Sequence, residues 1–261
     1  MGAVNVTPDS FSDGGRFFDP ARAVAHGLEL AAQGADLLDV GGESTRPGAE
    51  PVAVAEEIGR VVPVIEGLKA AGVPISIDTL KPEVARAAVA AGATIWNDVT
   101  SLSAPGSLET AAELGCGVVL MHMQGEPRTM QQAPRYDDVL GEVEAYLLAR
   151  AEAAISAGVR RDGVWIDPGI GFGKTLAHNL ALLRSLDRLA GHGFPLVLGV
   201  SRKSFLKAID AEAAEASDRL GGSLAAALWG ARQGAAVLRV HDVRETRQAL
   251  ATWAAIEGEG R

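Results

Sequence analysis

Residues able to do chemistry recur in this chain at one kind of place, directly after a short apolar run. In order they are Asn5 with Asp9, Asp39 with Glu43, Asp78, Asn97 with Asp98, His122, Asp167, Ser201 with Arg202 and Lys203, and Arg239 with His241. Each alone has an ordinary explanation, because Asn, Asp and Ser cap helices and build turns. Gathered at one mouth they would be costly for stability alone, since buried carboxylates, amides and cations lose hydration that only a partner or a ligand replaces. Such a set suits a flat nitrogen heterocycle and an anionic leaving group.

Two runs carry more than one such residue. Asp167 to Lys174, DPGIGFGK, is rich in glycine but has neither the GxxxxGK[ST] nor the GxGxxG spacing of a phosphate loop. It offers a carboxylate, a stiff Pro168 and glycines that let a flat ligand approach the backbone. Phe172 then covers one face of that ligand or is an ordinary core residue. Ser201 to Phe205, SRKSF, opens a short helix, where unpaired N–H groups, hydroxyls and two cations make either an anion site or a plain solvated helix start. With Arg46 in GGESTRPGA (Gly41 to Ala49) and Arg239 beside His241, the cations suit a diphosphate better than a single carboxylate. His122 and His241 raise the question of zinc, but no HExxH or cysteine pair supports it. Magnesium is expected instead, because it accompanies diphosphates and needs few protein ligands.

The elements that must position these residues are short, continuous apolar strands alternating with helices. The strands are expected at Ala3 to Val6, Leu37 to Val40, Pro74 to Ile77, Thr94 to Trp96, Val118 to Met121, Val164 to Ile166, Leu196 to Val200 and Val237 to Val240. Unbroken apolar strands imply burial on both faces, the condition of a parallel sheet covered by helices. Asp19 before Pro20 and the glycines at 34 and 92 mark helix ends, and Tyr136 to Ala157 reads as a long helix with acidic residues near its start. Eight units in uninterrupted succession favour a closed (β/α)8 TIM barrel over a doubly wound open sheet, as a single domain spanning 1–261. Chemistry in such barrels sits where strands end. The loops at 9–16 and 42–50 hold enough Gly, Ser and Asp to become ordered only around ligand.

Composition narrows the partners. Lys and Arg total 24 against 33 Asp and Glu, a net charge of −9, which disfavours nucleic acid and anionic membranes. The single cysteine, Cys116, can form no intrachain disulfide, and no targeting or spanning segment is visible, so a cytoplasmic protein is expected. Two apolar helices, at Asp218 to Ala231 and Arg244 to Ala255, could support a homodimer.

Together NVTPDSFSDGG (Asn5 to Gly15), GGESTRPGA, IDT (Ile77 to Thr79), WND (Trp96 to Asp98), MHMQGEPRTMQ (Met121 to Gln131), DPGIGFGK, SRKSF and RVHDV (Arg239 to Val243) resemble the dihydropteroate synthase family of pterin-binding barrels, in register from residue 2 to the last strand. The chain begins at the first expected strand, so the family's short N-terminal extension is expected to be missing, which bears only on how the barrel bottom closes. The resemblance implies a transferase of folate biosynthesis, of a kind inhibited by sulfonamides. It joins (7,8-dihydropterin-6-yl)methyl diphosphate to 4-aminobenzoate, releasing diphosphate. It further implies pterin contacts from Asp78, Asn97, Met121, Asp167, Phe172, Lys203 and Arg239, of which Asp78, Lys203 and Asp167 would be catalytic. Asn5, Thr45, Arg46, Arg239 and His241 would hold the diphosphate, with Asn5 on Mg²⁺. Thr45, Arg46, Pro47, Lys203 and Ser204 would hold the 4-aminobenzoate. Two other readings use the same pterin grip: a domain passing a folate methyl group to a corrinoid, and a non-catalytic pterin carrier. Neither has a use for both SRKSF and Arg46.

Overall fold

The computed structural model describes residues 1–7, 19–45 and 48–258. The expected site residues Asp9, Arg46 and Pro47, and the loop at 9–16, lie outside them. Among the described residues eight parallel strands are present: β1 (Gly2–Asn5), β2 (Leu38–Gly41), β3 (Ile75–Asp78), β4 (Ile95–Asp98), β5 (Gly117–Met121), β6 (Val164–Asp167), β7 (Val197–Gly199) and β8 (Val237–Arg239). The first six pair in sequence order and β7 pairs with β8. Single bridges from Ile166 to Leu196 and from Gly2 to Val240 complete the circle, so the sheet is a closed (β/α)8 barrel.

Helices return the chain between strands: α1 (Pro20–Ala32), α2 (Val54–Leu68), α3 (Pro82–Ala91), α4 (Ser107–Leu114), α5 (Val139–Ala157), α6 (Leu176–Arg184), α7 (Leu186–Ala190), α8 (Ser204–Ile209), α9 (Leu220–Arg232) and α10 (Val243–Glu257). The expected helix ends are realised. The Asp19 carboxylate accepts the Ala21 N–H at 2.9 Å ahead of Pro20, and Gly34 and Gly92 stop their helices at φ +97° and +127°. The long helix α5 starts at Val139 rather than Tyr136, because Asp138 is its cap and accepts the Gly141 N–H at 3.1 Å.

Each strand's outward side chains meet the helices. Val4, Val40, Ile77, Trp96, Leu120, Ile166 and Leu198 are wholly buried there, and truncating such a residue costs about 2–5 kcal/mol. The inward side chains form two layers. At the strand starts Met1, Leu37, Ile95, Val119 and Val197 pack with Trp165 and Val237 into an apolar floor. Two residues further along, on the same faces, stand Asp39, Asn97, Met121, Asp167, Gly199 and Arg239. The barrel is thus greasy below and polar above.

Candidate active site

The upper layer is knit around one guanidinium. Arg239, ending β8, donates from Nε to Asp39 Oδ2 at 2.6 Å and from Nη2 to Asp78 Oδ2 at 3.0 Å. Asn97 Nδ2 donates to the same Asp39 oxygen at 3.2 Å, while Asp39 Oδ1 is buried without a hydrogen-bond partner among the described residues. Two carboxylates this close share one cation unequally. Burial first, then the charge of Asp39, pushes the Asp78 carboxyl up to about 7, with Arg239 opposing the shift. Burial alone would weaken the Arg239 charge, but Asp39 and Asp78 more than offset it and hold the guanidinium firmly protonated.

Opposite this knot stand Asp167 and Lys203. Asp167 ends β6 and accepts the Gly169 N–H at 2.7 Å, and burial raises its carboxyl against the pull of Lys203. Lys203 precedes α8, donates to the Ile170 carbonyl, and lies 4.7 Å from the centre of the Phe172 ring. Burial brings its ammonium down to about 8, partly countered by Asp167. Gly199 lies beneath it, where a Cβ would stand 3.5 Å from Nζ, in ordinary contact. Met121, nearly buried, closes the β5 side.

Other strand-end residues turn away from this bowl into structural work. Asp98 accepts the N–H groups of Thr100 and Leu102, at 2.7 and 2.8 Å, and so builds the turn after β4. Glu43 takes the Val52 N–H and the Lys81 ammonium, both at 2.6 Å. Lys81 also meets Glu57 at 2.6 Å and the Val52 carbonyl at 2.7 Å, so the foot of the β2 loop is fastened to the end of β3. Thr45 is half-buried in that loop. His122, just past the end of β5, lies against Lys174, where burial and that neighbouring cation lower its pKa to about 3, which suits neither a charged contact nor an anion clamp.

The SRKSF run is a correction to the expectation of two cations at an anion site. Arg202 has φ +60°, which turns its side chain onto the Asp242 carboxylate, with Nε to Oδ2 at 3.0 Å. The Ser201 hydroxyl meets both the N–H and Nδ1 of His241, at 3.2 and 3.0 Å. Lys203 and the exposed Ser204 are what the run leaves for a ligand. Asp39 is read in the sequence as a strand-end carboxylate but given no ligand role, and Lys174 is given no role of its own. The period-two register from the apolar floor points to Asp39, two residues after Leu37, whereas nothing in the sequence marks Lys174 as buried.

No group of three His, Cys, Asp or Glu side chains able to hold a metal ion occurs among the described residues. The hard oxygen donor nearest to the expected role is the half-buried Asn5 amide at the end of β1.

Comparison with known proteins places this geometry. The family described as "Pterin binding enzyme" matches residues 1–241. The dihydropteroate synthase of Escherichia coli K12 is 50% identical over 251 residues, 96% of this chain and 88% of that protein. The solved Xanthomonas albilineans dihydropteroate synthase with 4-aminobenzoic acid superposes with a TM-score of 0.93 at 53% identity, covering 98% of this chain and 92% of that one. The same organism's enzyme in complex with 7,8-dihydropteroate gives 0.88 at 50% identity, with the same coverage. A closed barrel with this polar bowl, matched nearly end to end at half identity, belongs to the dihydropteroate synthase family of pterin-binding enzymes.

Proposed function

We infer how this bowl carries out the family's transfer, in which the chain joins (7,8-dihydropterin-6-yl)methyl diphosphate to 4-aminobenzoate and yields 7,8-dihydropteroate and diphosphate. The observation that carries the reading is the gathering of carboxylates, an amide, a guanidinium and an ammonium at the strand ends of one barrel top. Asp78, Asp167 and Asn97 offer oxygens to the N–H edge of a pterin, and Asn97 has its Oδ1 available because Nδ2 is spent on Asp39. Lys203 supplies N–H donors to the ring carbonyl and N5. Phe172 and Met121 flank the ring, and Arg239 lies across it.

In the reaction the C–O bond to diphosphate breaks with its electron pair leaving on oxygen, and the pterin delocalises the positive charge left at the methylene. Asp78, ionised once ring N–H donors and Arg239 surround it, stabilises that charge. The leaving diphosphate is met by Asn5, Thr45, Arg46, Arg239 and His241. The Asn5 amide oxygen would hold a magnesium ion, which would supply neutralisation of the leaving group's charge. The neutral arylamine then forms the C–N bond and gives its proton to solvent, so no strong base is required. Its carboxylate is received by Ser204, and Thr45, Arg46, Pro47 and Lys203 complete its site. The test is a turnover assay with both substrates: dihydropteroate and diphosphate should appear in equal amounts, and pterin binding without condensation would favour the carrier reading.

We further place the chain in the cytoplasm as a homodimer. An outer groove of roughly 560 Å³ between α6, α8 and α9 is lined by apolar residues including Leu183, Phe205, Leu206 and Ala226. Ile209 and Trp229, two of the few large apolar side chains exposed, stand on it at 59% and 43% exposure. The groove involves α9 but not α10 among the described residues. Light scattering on wild type and Ile209→Glu should read two subunits and one.

A further inference from the structure

The loop between β6 and α6 has no strand partner, yet each carbonyl from Gly169 to Gly173 is taken by a side chain. Lys203 holds Ile170, Gln131 holds Gly171 at 2.6 Å, and the Tyr136 hydroxyl holds Gly173 at 2.8 Å. The remaining two belong to Lys174, whose ammonium donates to Gly169 at 3.0 Å and to Phe172 at 2.9 Å. The same nitrogen reaches the His122 carbonyl at 3.2 Å and His122 Nδ1 at 3.0 Å. Lys174 is only 3% exposed, so the chain has wrapped the loop around its own buried cation. Glycines at 169, 171 and 173, with φ of +66°, +84° and +59°, permit the wrapping. The fit is close: a Cβ on Gly169 would come within 1.9 Å of the His122 carbonyl, and one on Gly173 within 2.4 Å of the Gln124 carbonyl.

We propose that Lys174 is a positioning residue: by gathering the carbonyls of Gly169, Phe172 and His122, it sets the Ile170 carbonyl and the Phe172 ring that aim the Lys203 ammonium at the pterin. This rests on the pterin-binding reading above. Lys174 touches no substrate in this scheme. Its removal leaves the Phe172 and His122 carbonyls without that donor and the Gly169 carbonyl with only the Phe172 N–H at 3.0 Å, and the loop must open to rehydrate them. Opening frees Lys203 from Ile170 and Phe172, and admits water to its ammonium. The burial that brings Lys174 itself to about 7 fits a cation held only by neutral oxygens and one imidazole nitrogen.

The experiment is Lys174→Met, with a 6-hydroxymethyl pterin as calorimetric probe and NMR titration of the Lys203 ammonium. Expected are a tenfold or greater loss of pterin affinity and a rise of the Lys203 pKa by half a unit or more. Because Lys203 also borders the 4-aminobenzoate site, the KM for 4-aminobenzoate at saturating pterin should rise, but by less than the pterin affinity falls. A folded Lys174→Met protein with unchanged pterin affinity and Lys203 titration overturns the proposal. Should that variant not fold, Tyr136→Phe releases the Gly173 carbonyl of the same loop. It should weaken pterin binding about threefold, and an unchanged affinity counts equally against the idea. Binding and titration need no turnover, so a failure of condensation in the wild type is read separately.

Discussion

The loops after β6 and β7 each bring a lysine into the barrel top, and the two differ in how much of the ammonium the protein consumes. Lys174 reaches three carbonyls and an imidazole nitrogen, more acceptors than it has N–H groups. Lys203 has one carbonyl and an aromatic face. Both are depressed by burial, so a shifted pKa does not by itself tell scaffold from ligand contact. The distinction lies in unspent donors. A cation whose hydrogen bonds are all made internally holds the fold, and one left short awaits a guest.

Lys203→Met tests the ligand side of that contrast and should have the largest effect. We expect kcat/KM for the pterin substrate to fall by about a thousandfold, consistent with loss of a charge-assisted donor in a dry site. The melting temperature should move by only a few degrees, the opposite balance to a scaffold lysine. If thermal stability collapses while kcat/KM holds, the two lysines have been assigned the wrong way round.

Asp78→Asn follows. With Arg239 still paired to Asp39, turnover should drop about a hundredfold while pterin affinity changes less than tenfold, because the charge matters most when the methylene becomes cationic. Stopped-flow binding alongside steady-state rates separates the two, and equal losses would remove the electrostatic role.

A pH profile sharpens both assignments at once. Asp78 must lose its proton and Lys203 must keep its own, so kcat/KM should rise as pH climbs through about 7 and fall as it climbs through about 8. Lys203→Arg should abolish the alkaline fall and leave the acid limb in place. The smallest effect is expected at Arg202→Ala. Its bridge to Asp242 is partly exposed, so stability should drop by no more than about 1 kcal/mol, and kcat/KM should stay within twofold. A tenfold loss there would return Arg202 to the anion site.

The barrel was legible because its strands are apolar on both faces, and all eight lie where short β-branched runs stand in the sequence. Their C-terminal ends were less legible. β3, β4 and β6 run on into Asp78, Asp98 and Asp167, where polarity suggests the strand is over although the ladder continues. Which strand-end groups face inward follows from register and from loop turns. Asp39 obeys the register, which could have placed it beside Asn97 and Arg239. Arg202 departs from expectation because one left-handed residue redirects it, and Asp98 because the turn after β4 claims both its oxygens. Lys174 looked like the last letter of a glycine-rich motif. Only the three-dimensional wrapping of that motif makes it a buried cation.

The two-layered interior has a thermodynamic consequence. Hydrocarbon from Met1, Leu37, Ile95, Val119 and Val197 forms the base, while the cup above is walled by ions and amides that water must otherwise solvate. A guest settling there exchanges water's hydrogen bonds for the walls' own and covers little hydrocarbon beyond Phe172 and Met121. Calorimetry of pterin binding should therefore register a strongly exothermic event whose heat-capacity change is modest for the area enclosed.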